Sequence, residues 1–353
     1  MNNIYTQFKG NNPFASQAKM LFHGDRTHEY LTTGDMRPVF CEVNLTNQCN
    51  LKCKWCFCDN YKRDNTSLNK DLFMRFCCEF QNLGGKALTY SGGGEPTRYK
   101  DFIEVTNYAI SLGLDLGLMT NGTFHKDLRA CIGKSFQWVR FSVDTLDQQK
   151  YYEMKRVRAL PAVIDNILNI KQDSPTTKLG LNCNVNKDTT PQEVFDLIDF
   201  IDRYDIDYLQ FRPVLPRTYL DEKPTLINKS LWDILFSIKH ERINLSYDKY
   251  CDIVSKNHFP FKSCEAHRLT FILDSNGDVK VCMYYPQDDR FTFGNIQLMS
   301  LKDIWTSGRR QEVIKFLQTD LNMHKECQLC CKLYELNKMF EFINQQKIDI
   351  NFL

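Results

Sequence analysis

The stretch that decides the fold is NQCNLKCKWCFCDN, residues 47–60, which holds four cysteines. Three of them have the spacing C-x3-C-x2-C: Cys49, Cys53 and Cys56. A structural zinc site takes four ligands, so zinc would need Cys41 or Cys58 as well. An iron–sulfur cube is the alternative, because three thiolates leave one iron free to bind another molecule. The spacing by itself leaves both interpretations open.

The segments around this stretch alternate between short apolar, β-rich runs and runs with helical periodicity. Six strands are predicted at residues 38–46, 86–94, 115–122, 137–145, 178–186 and 208–214. Helices are predicted at residues 68–84, 101–113, 160–172 and 190–205. Alternating strands and helices favour parallel pairing through right-handed crossovers. The pattern therefore predicts an α/β fold with a partial (β/α)6, TIM-like barrel, whose site lies at the carboxyl ends of the strands.

The helix at residues 190–205 has clear start and packing signals. Thr190 is the predicted N-cap, Pro191 stands at the first helical position, and Glu193 completes a capping box. Val194, Leu197, Ile198 and Ile201 then follow the i, i+3, i+4, i+7 pattern of one apolar face.

A second group of cysteines begins at Cys264, where the alternating pattern ends. Residues 271–282, FILDSNGDVKVC, predict a hairpin with Asn276 and Gly277 at its turn. Cys264 and Cys282 flank this hairpin, and Cys327 and Cys330 later form C-x2-C. On spacing alone, these four thiols would suit tetrahedral zinc.

Composition limits the class of protein. The 353 residues are 42% hydrophobic and 25% charged, with a formal net charge of +2, so nucleic acid and membrane are not expected partners. The N-terminus is polar and lacks the apolar region of a secretory signal, which predicts a cytoplasmic protein. In that reducing compartment, the 15 cysteines favour metal sites over disulfides.

The first motif, with Asn50, Leu51 and Trp55 inside or beside it, resembles the signature of the radical S-adenosylmethionine (SAM) superfamily. Further matches follow in the family's order at the predicted strand ends. They are SGGGEP with Gly93, Gly94, Glu95 and Pro96; MTNG with Asn121; FSVD with Ser142 and Asp144; and Arg156.

The resemblance implies that Cys49, Cys53 and Cys56 hold a [4Fe–4S] cluster whose open iron binds SAM. Electron transfer then splits SAM to a 5′-deoxyadenosyl radical that abstracts hydrogen from the substrate. GGEP would bind the SAM amino group, and Ser142 and Asp144 the methionyl and ribose groups. Trp55 would lie against the adenine, Asn121 would end its strand beside the site, and Arg156 would lie near the SAM carboxylate. Cys58 is interpreted as a bystander.

The second group resembles the C-terminal module of the SPASM/twitch branch of this superfamily. Five further residues carry that match: Gly294, Asn295, Ile296, Leu301 and Trp305. No cysteine follows Cys331, so the resemblance implies one auxiliary [4Fe–4S] cluster on Cys264, Cys282, Cys327 and Cys330. Cys331 could replace Cys330 or be redundant.

The domains expected from these matches are an N-terminal extension at residues 1–37 and a radical SAM core at 38–245. A linker follows at 246–262, then the twitch/SPASM-like domain at 263–335 and a tail at 336–353.

The expected reaction is oxidation of a small-molecule alcohol, such as a sugar or aminocyclitol, with the auxiliary cluster as electron acceptor. A flavodoxin or ferredoxin-type protein would be the electron donor. One alternative is a radical epimerase that quenches the substrate radical from Cys183, Cys251 or Cys331. Another is a peptide-modifying enzyme, although those often carry an N-terminal leader-recognition domain, for which 37 residues are too few. The non-enzyme alternative is a zinc-binding protein with two structural cysteine sites.

Overall fold

A computed structural model of the chain describes residues 19–56, 58, 64–214, 227–255, 259–327 and 331–345. The strands in chain order are β1 Phe40–Asn44, β2 Ala87–Ser91, β3 Asp115–Thr120, β4 Trp138–Ser142, β5 Lys178–Val185, β6 Tyr208–Pro213, β7 Ile243–Leu245, β8 Thr270–Leu273, β9 Asp278–Lys280 and β10 Thr292–Asn295. The helices are α1 Gly24–Thr33, α2 Lys70–Asn82, α3 Phe102–Ser111, α4 Arg129–Ser135, α5 Gln148–Lys155, α6 Leu160–Asp173, α7 Pro191–Arg203, α8 Lys229–Ser237, α9 Tyr247–Ser255, α10 Leu301–Thr306, α11 Gly308–Lys315, α12 Met323–Glu326 and α13 Tyr334–Gln345.

Strands β1 to β7 form a continuous parallel sheet in chain order, with helices in the crossovers. All six predicted strands and all four predicted helices are confirmed within a few residues at their ends. β7 is an additional strand, too short to show a period in the sequence. This arrangement brings the carboxyl ends of the strands together at one edge.

Alternate residues of each strand face opposite sides of the sheet. The helix-facing side is apolar: Tyr90 of β2, for example, packs edge-on against Phe73 of α2 with ring centroids 6.0 Å apart. The inner side carries polar residues, some of which pair across an intervening strand. There, Arg140 of β4 donates a 2.7 Å hydrogen bond to Gln210 of β6. The inner face of the sheet is therefore polar, whereas the helix-facing side is apolar.

The capping box at the start of α7 is confirmed, with Thr190 and Glu193 each accepting from the other's backbone N–H. α5 was not predicted, because the residues of Gln148–Lys155 are mostly polar and show no apolar stripe. α4 was missed because it is short.

The cysteine-bearing hairpin is joined to the barrel sheet. β8 pairs with β1 in parallel, and β9 pairs with β8 in antiparallel. Gly277 stands at the turn with φ +86°, a backbone conformation that glycine adopts without strain, which confirms the predicted hairpin. The described strands therefore form one ten-stranded sheet, with the order β10-β9-β8-β1-β2-β3-β4-β5-β6-β7.

The segment before β1 packs on the C-terminal part of the chain. A small apolar cluster contains Tyr30, Met36, Leu269 and Phe340. The Trp305 indole also donates a 3.1 Å hydrogen bond to the Met36 carbonyl. The residues before β1 thus help to hold the cysteine-bearing module in place. None of the helices in the described ranges combines the length and the hydropathy needed to cross a membrane.

Candidate active site

The loop that carries the first cysteine motif leaves the carboxyl end of β1 and is fastened on two sides. On one side, the Lys54 and Lys52 amides donate to the carbonyls of Met154 (2.8 Å) and Lys155 (3.2 Å) at the end of α5. On the other, the Gly-rich turn after β2 binds its start, since Gly94 N donates to Thr46 O (2.9 Å). These main-chain bonds fix the path of the loop.

Gly94 is required by close approach of two backbones. A Cβ atom at this position would lie 2.1 Å from the Gln48 carbonyl oxygen, well inside contact distance. Glu95 N also donates to that oxygen, at 2.8 Å. The Gly-rich turn therefore supports the cysteine loop directly through its main chain.

The three predicted ligand thiols lie close enough to affect one another's charge. Burial, with smaller contributions from the Cys56 and Cys49 thiolates, raises the pKa of the Cys53 thiol to about 11, although the Lys155 ammonium opposes the shift. Cluster binding needs thiolates, so iron must displace the thiol protons when it binds. The arrangement fits a three-thiolate cluster. Cys58 lies beside the motif and donates a 2.7 Å hydrogen bond to Gly92 O.

Glu95 is buried and joins the ends of β2 and β3. Its carboxylate accepts from the hydroxyls of Thr97 (2.7 Å) and Thr120 (2.6 Å) and from the Asn121 amide N–H (2.7 Å). Burial raises the pKa of Glu95, and these donors oppose the shift. The Asn121 side chain donates to Asn50 Oδ1 at 3.0 Å, within the cysteine motif. Glu95 thus ties the turn after β2 to the end of β3 beside the cysteine loop.

Asp144 forms a buried ion pair beside Cys53. One carboxylate oxygen lies 2.5 Å from Lys155 Nζ, and both side chains are only 6% exposed. The other oxygen accepts from the Asn184 amide N–H (2.8 Å) and side chain (3.0 Å). Burial would lower the pKa of Lys155, but the Asp144 and Cys53 anions raise it above its usual value. Lys155 was not identified from the sequence.

The remaining predicted SAM-site residues have varied surroundings. Arg156 is exposed and caps α5 in the left-handed conformation, with φ 64°. Ser142 ends β4 opposite Asn182 of β5. Trp55 is half-buried, with Lys54 Nζ 5.1 Å from its ring centroid. Pro96 is buried and opens a short turn; Gly93 precedes Gly94 in the turn that supports the loop.

Three buried polar atoms near this site have no hydrogen-bond partner among the described residues: Asn47 Oδ1, Asn182 Oδ1 and Tyr151 Oη. Burial raises the pKa of Tyr151 to about 12, with Cys53 and Asp144 adding to the shift and Lys155 opposing it. Buried polar groups are normally satisfied, so these atoms are candidate contacts for a polar ligand such as SAM. A cleft of about 210 Å³ opens beside Cys49 and Asn50; Asn47 lines it, whereas Asp144, Tyr151 and Asn182 do not.

The thiols of the second cysteine group also lie close to one another. Burial raises the pKa of the Cys264 thiol well above its usual range, and thiolates at Cys331, Cys327 and Cys282 add to the shift. Cys330, the predicted fourth ligand, lies outside the described residues, whereas Cys331 lies with the other three. In the described ranges, no three Cys, His, Asp or Glu side chains are grouped so as to hold a single metal ion. The effect of three thiols on the pKa of the fourth places all four near one another, which a cubane on these residues would require.

The chain segment that carries this group reaches the barrel interior. Lys332, directly after Cys331, forms an ion pair with Glu42 of β1, a carboxylate that also accepts from the Ser91 hydroxyl of β2. Sequence reasoning missed both Lys332 and Glu42, because their contact joins residues far apart in the chain. The second thiol group is therefore connected to the inner face of the sheet.

Family models match the same two parts of the chain. The radical SAM superfamily model matches residues 43–201, and an iron–sulfur cluster-binding domain, SPASM, matches residues 264–332. The chain belongs to the radical SAM superfamily. The two domains of this radical SAM enzyme imply SAM and two [4Fe–4S] clusters as its cofactors.

Curated relatives of this enzyme have different activities. The tungsten-containing aldehyde ferredoxin oxidoreductase cofactor-modifying protein of Pyrococcus furiosus is 23% identical over 297 residues, or 76% of this chain and 80% of that protein. A probable GTP 3′,8-cyclase of Pyrococcus abyssi is 31% identical over 170 residues, or 46% of this chain and 53% of the cyclase. The chain thus spans about half the length of the cyclase.

Solved radical SAM structures share the fold. SuiB of Streptococcus suis bound to SAM superimposes with a TM-score of 0.66 at 18% identity, covering 87% of this chain and 74% of SuiB. The anSMEcpe structure with bound SAM gives a TM-score of 0.59 at 20% identity, covering 85% and 88%. The predicted fold, a radical SAM barrel with a C-terminal SPASM-like domain, is confirmed.

Proposed function

We propose that this enzyme oxidises a small, polar alcohol and passes an electron from the substrate to an auxiliary cluster. One observation carries the proposal: the thiols of Cys264, Cys282, Cys327 and Cys331 lie together in a module that shares its sheet with the barrel. The proposal takes Cys331 as the fourth ligand because its thiol lies near the other three, whereas Cys330, the ligand predicted from sequence spacing, lies outside the described residues.

Cys49, Cys53 and Cys56 would hold the first cluster, and SAM bound there would supply, on one-electron reduction, a 5′-deoxyadenosyl radical able to remove a hydrogen atom from a substrate carbon. The substrate radical must then lose one electron and one proton to become a carbonyl compound. The four thiols of the second group would hold the cluster that accepts the electron. The Lys332–Glu42 contact supports a short path for this electron from the substrate to the second cluster, because it places residue 332 against the inner face of the sheet.

The inner face of the barrel supports a polar substrate. Arg140 is 7% exposed and donates to Gln210, while the nearby Ser142 and Asn182 present a hydroxyl and an amide group on neighbouring strands. Such donors and acceptors can orient the hydroxyl groups of a sugar or aminocyclitol. Dehydrogenation of a polar alcohol therefore agrees with the polar groups on the inner face and with a second thiol group that could hold an electron acceptor.

A second candidate, peptide modification, is favoured by the fold comparison. SuiB has been solved with its precursor peptide SuiA, and anSMEcpe with the Cp18Cys peptide. In this alternative, the substrate radical forms a new bond or is oxidised within a peptide chain. The two candidates differ in which substrate yields a product.

The test combines Cys327→Ala and Cys331→Ala in one protein. The first motif keeps all its thiols, so the variant should still cleave SAM to 5′-deoxyadenosine. Turnover of the alcohol to the carbonyl compound should be lost, because the substrate radical has no oxidant. Cys78→Ala, on α2 and away from both groups, is the matched control and should retain turnover.

Substrates are screened as panels of sugars, aminocyclitols and peptides deuterated at candidate carbons. Transfer of deuterium into 5′-deoxyadenosine together with a two-electron-oxidised product supports dehydrogenation. Full turnover by the double variant would show that the second site does not accept the electron. Product from peptides alone would favour the second candidate, and stereo-inverted product carrying solvent deuterium would indicate epimerisation.

A further inference from the structure

Asn337 is a buried amide in direct contact with the second thiol group. It lies on α13 with 1% of its surface exposed. Its Nδ2 atom donates to Cys264 Sγ at 3.7 Å, a normal length for a hydrogen bond to sulfur. Neither the motif pattern nor the family resemblance includes this residue, which follows the last cysteine of the chain.

The orientation of this amide is fixed by its other end. Asn337 Oδ1 accepts from the backbone N–H groups of Glu265 and Ala266, both at 2.8 Å. A flipped amide would place its NH2 group against these two donors and leave both unsatisfied. The NH2 group must therefore face the sulfur.

The loop that carries Cys264 is itself held by buried polar contacts. The Glu265 carboxylate accepts from Arg268 Nε (2.7 Å), the Ser263 hydroxyl (2.8 Å) and Gln318 Nε2 (2.9 Å), and Glu265 is 2% exposed. The two backbone donors therefore have little freedom to leave Asn337. The contact between amide and sulfur is built into the fold.

We propose that Asn337 is a positioning residue that donates an N–H···S hydrogen bond to the Cys264 thiolate of the auxiliary cluster and raises the cluster's reduction potential. A cluster gains negative charge when it is reduced, and a donor at a ligand sulfur stabilises the more negative state. Asn337 would thus help the cluster accept the substrate electron. The inference rests on the proposed function, because it takes Cys264 as a cluster ligand.

The test measures the potentials of both clusters by EPR-monitored redox titration of the anaerobically reconstituted enzyme. Asn337→Asp keeps an oxygen for the two backbone donors but removes the NH2 group and brings a negative charge toward the sulfur. The neutral Asn337→Ser, too short to reach the sulfur, is therefore titrated beside it and isolates the loss of the hydrogen bond. The auxiliary potential should shift to a more negative value than in wild type, and the potential of the first cluster should stay unchanged. Asn344→Asp makes the same change at an exposed position of the same helix and should shift neither cluster's potential.

Iron content separates the possible failures. If the wild-type enzyme holds only the first cluster, both the ligand assignment and this inference are wrong. If both clusters are present and Asn337→Asp keeps its iron with an unchanged auxiliary potential, the inference alone is overturned. If Asn337→Asp loses iron, Asn337→Ser alone decides. It should show the same negative shift, and an unchanged potential in that variant also overturns the inference.

Discussion

Lys155 and Arg156 are neighbours in sequence but lie in opposite environments. Arg156 matches the family's arginine position, yet its side chain is exposed at the end of α5. Lys155 is buried, pairs with Asp144 and lies beside Cys53. Sequence reasoning chose Arg156 because it matches the motif, and the burial of Lys155 depends on α5, which has no apolar stripe to predict it. The role of Arg156 at the SAM carboxylate stays a prediction.

Replacing the two residues separately tests which one supports the site. Lys155→Met removes the cation from a buried pair and leaves the Asp144 carboxylate uncompensated, which should destabilise the fold by about 3–5 kcal/mol. Arg156→Met should change the free energy of unfolding by less than about 0.5 kcal/mol, because the residue lies on the surface. Denaturant unfolding of both variants beside wild type gives the two values. Equal effects would show that the Lys155–Asp144 pair does not support the fold.

Among the elements, the segment before β1 was the least predictable. Family motifs begin at residue 38 and say nothing about residues 19–37, although α1 and Asp35 pack on the C-terminal module. Asp35 binds the fully buried Arg310 at 2.5 Å and Arg268 at 3.0 Å. By contrast, the elements with regular periodicity or strong turn signals, such as α7 and the β8–β9 hairpin, were predicted correctly. Contacts between distant segments leave no local pattern in a sequence.

The Asp35 contacts predict how stability depends on pH. Burial alone would raise the pKa of Asp35, but the hydrogen bond and charge of Arg310 oppose it and hold the pKa below its usual value. A depressed pKa means that the stabilisation is fully present above the unfolded-state value of about 4 and is lost only as pH falls through the folded value.

Asp35→Asn should therefore lower the free energy of unfolding by about 1–3 kcal/mol, less than for a fully buried pair since Asp35 is partly exposed. Urea unfolding from pH 8 to pH 5 should show a constant difference in the free energy of unfolding between wild type and variant. Asp25→Asn, at an exposed carboxylate of α1, is the control and should show almost no gap. A gap that closes between pH 6 and pH 5 would contradict a lowered pKa.

For the whole molecule, the first thiol group could be predicted from sequence because its members lie within one loop, and its role as a ligand set stays a prediction. The second could be assigned only in part. Its thiols come from a hairpin and a distant segment, and the choice between Cys330 and Cys331 depends on chain geometry. The polar inner face and the Lys332–Glu42 contact are likewise properties of the folded sheet, because each joins residues from separate strands or segments.

The central claim is that one chain holds two cubane clusters on two separate groups of thiols. Iron and sulfide analysis of the anaerobically reconstituted protein tests it most directly. Wild type should contain about eight irons and eight sulfides per chain, four of each per cluster. Replacing Cys49, Cys53 and Cys56 together, or Cys264, Cys282 and Cys331 together, should each leave about four irons, whereas Cys330→Ala should keep about eight. About four irons in wild type, or stoichiometric zinc in place of iron and sulfide, would contradict the account.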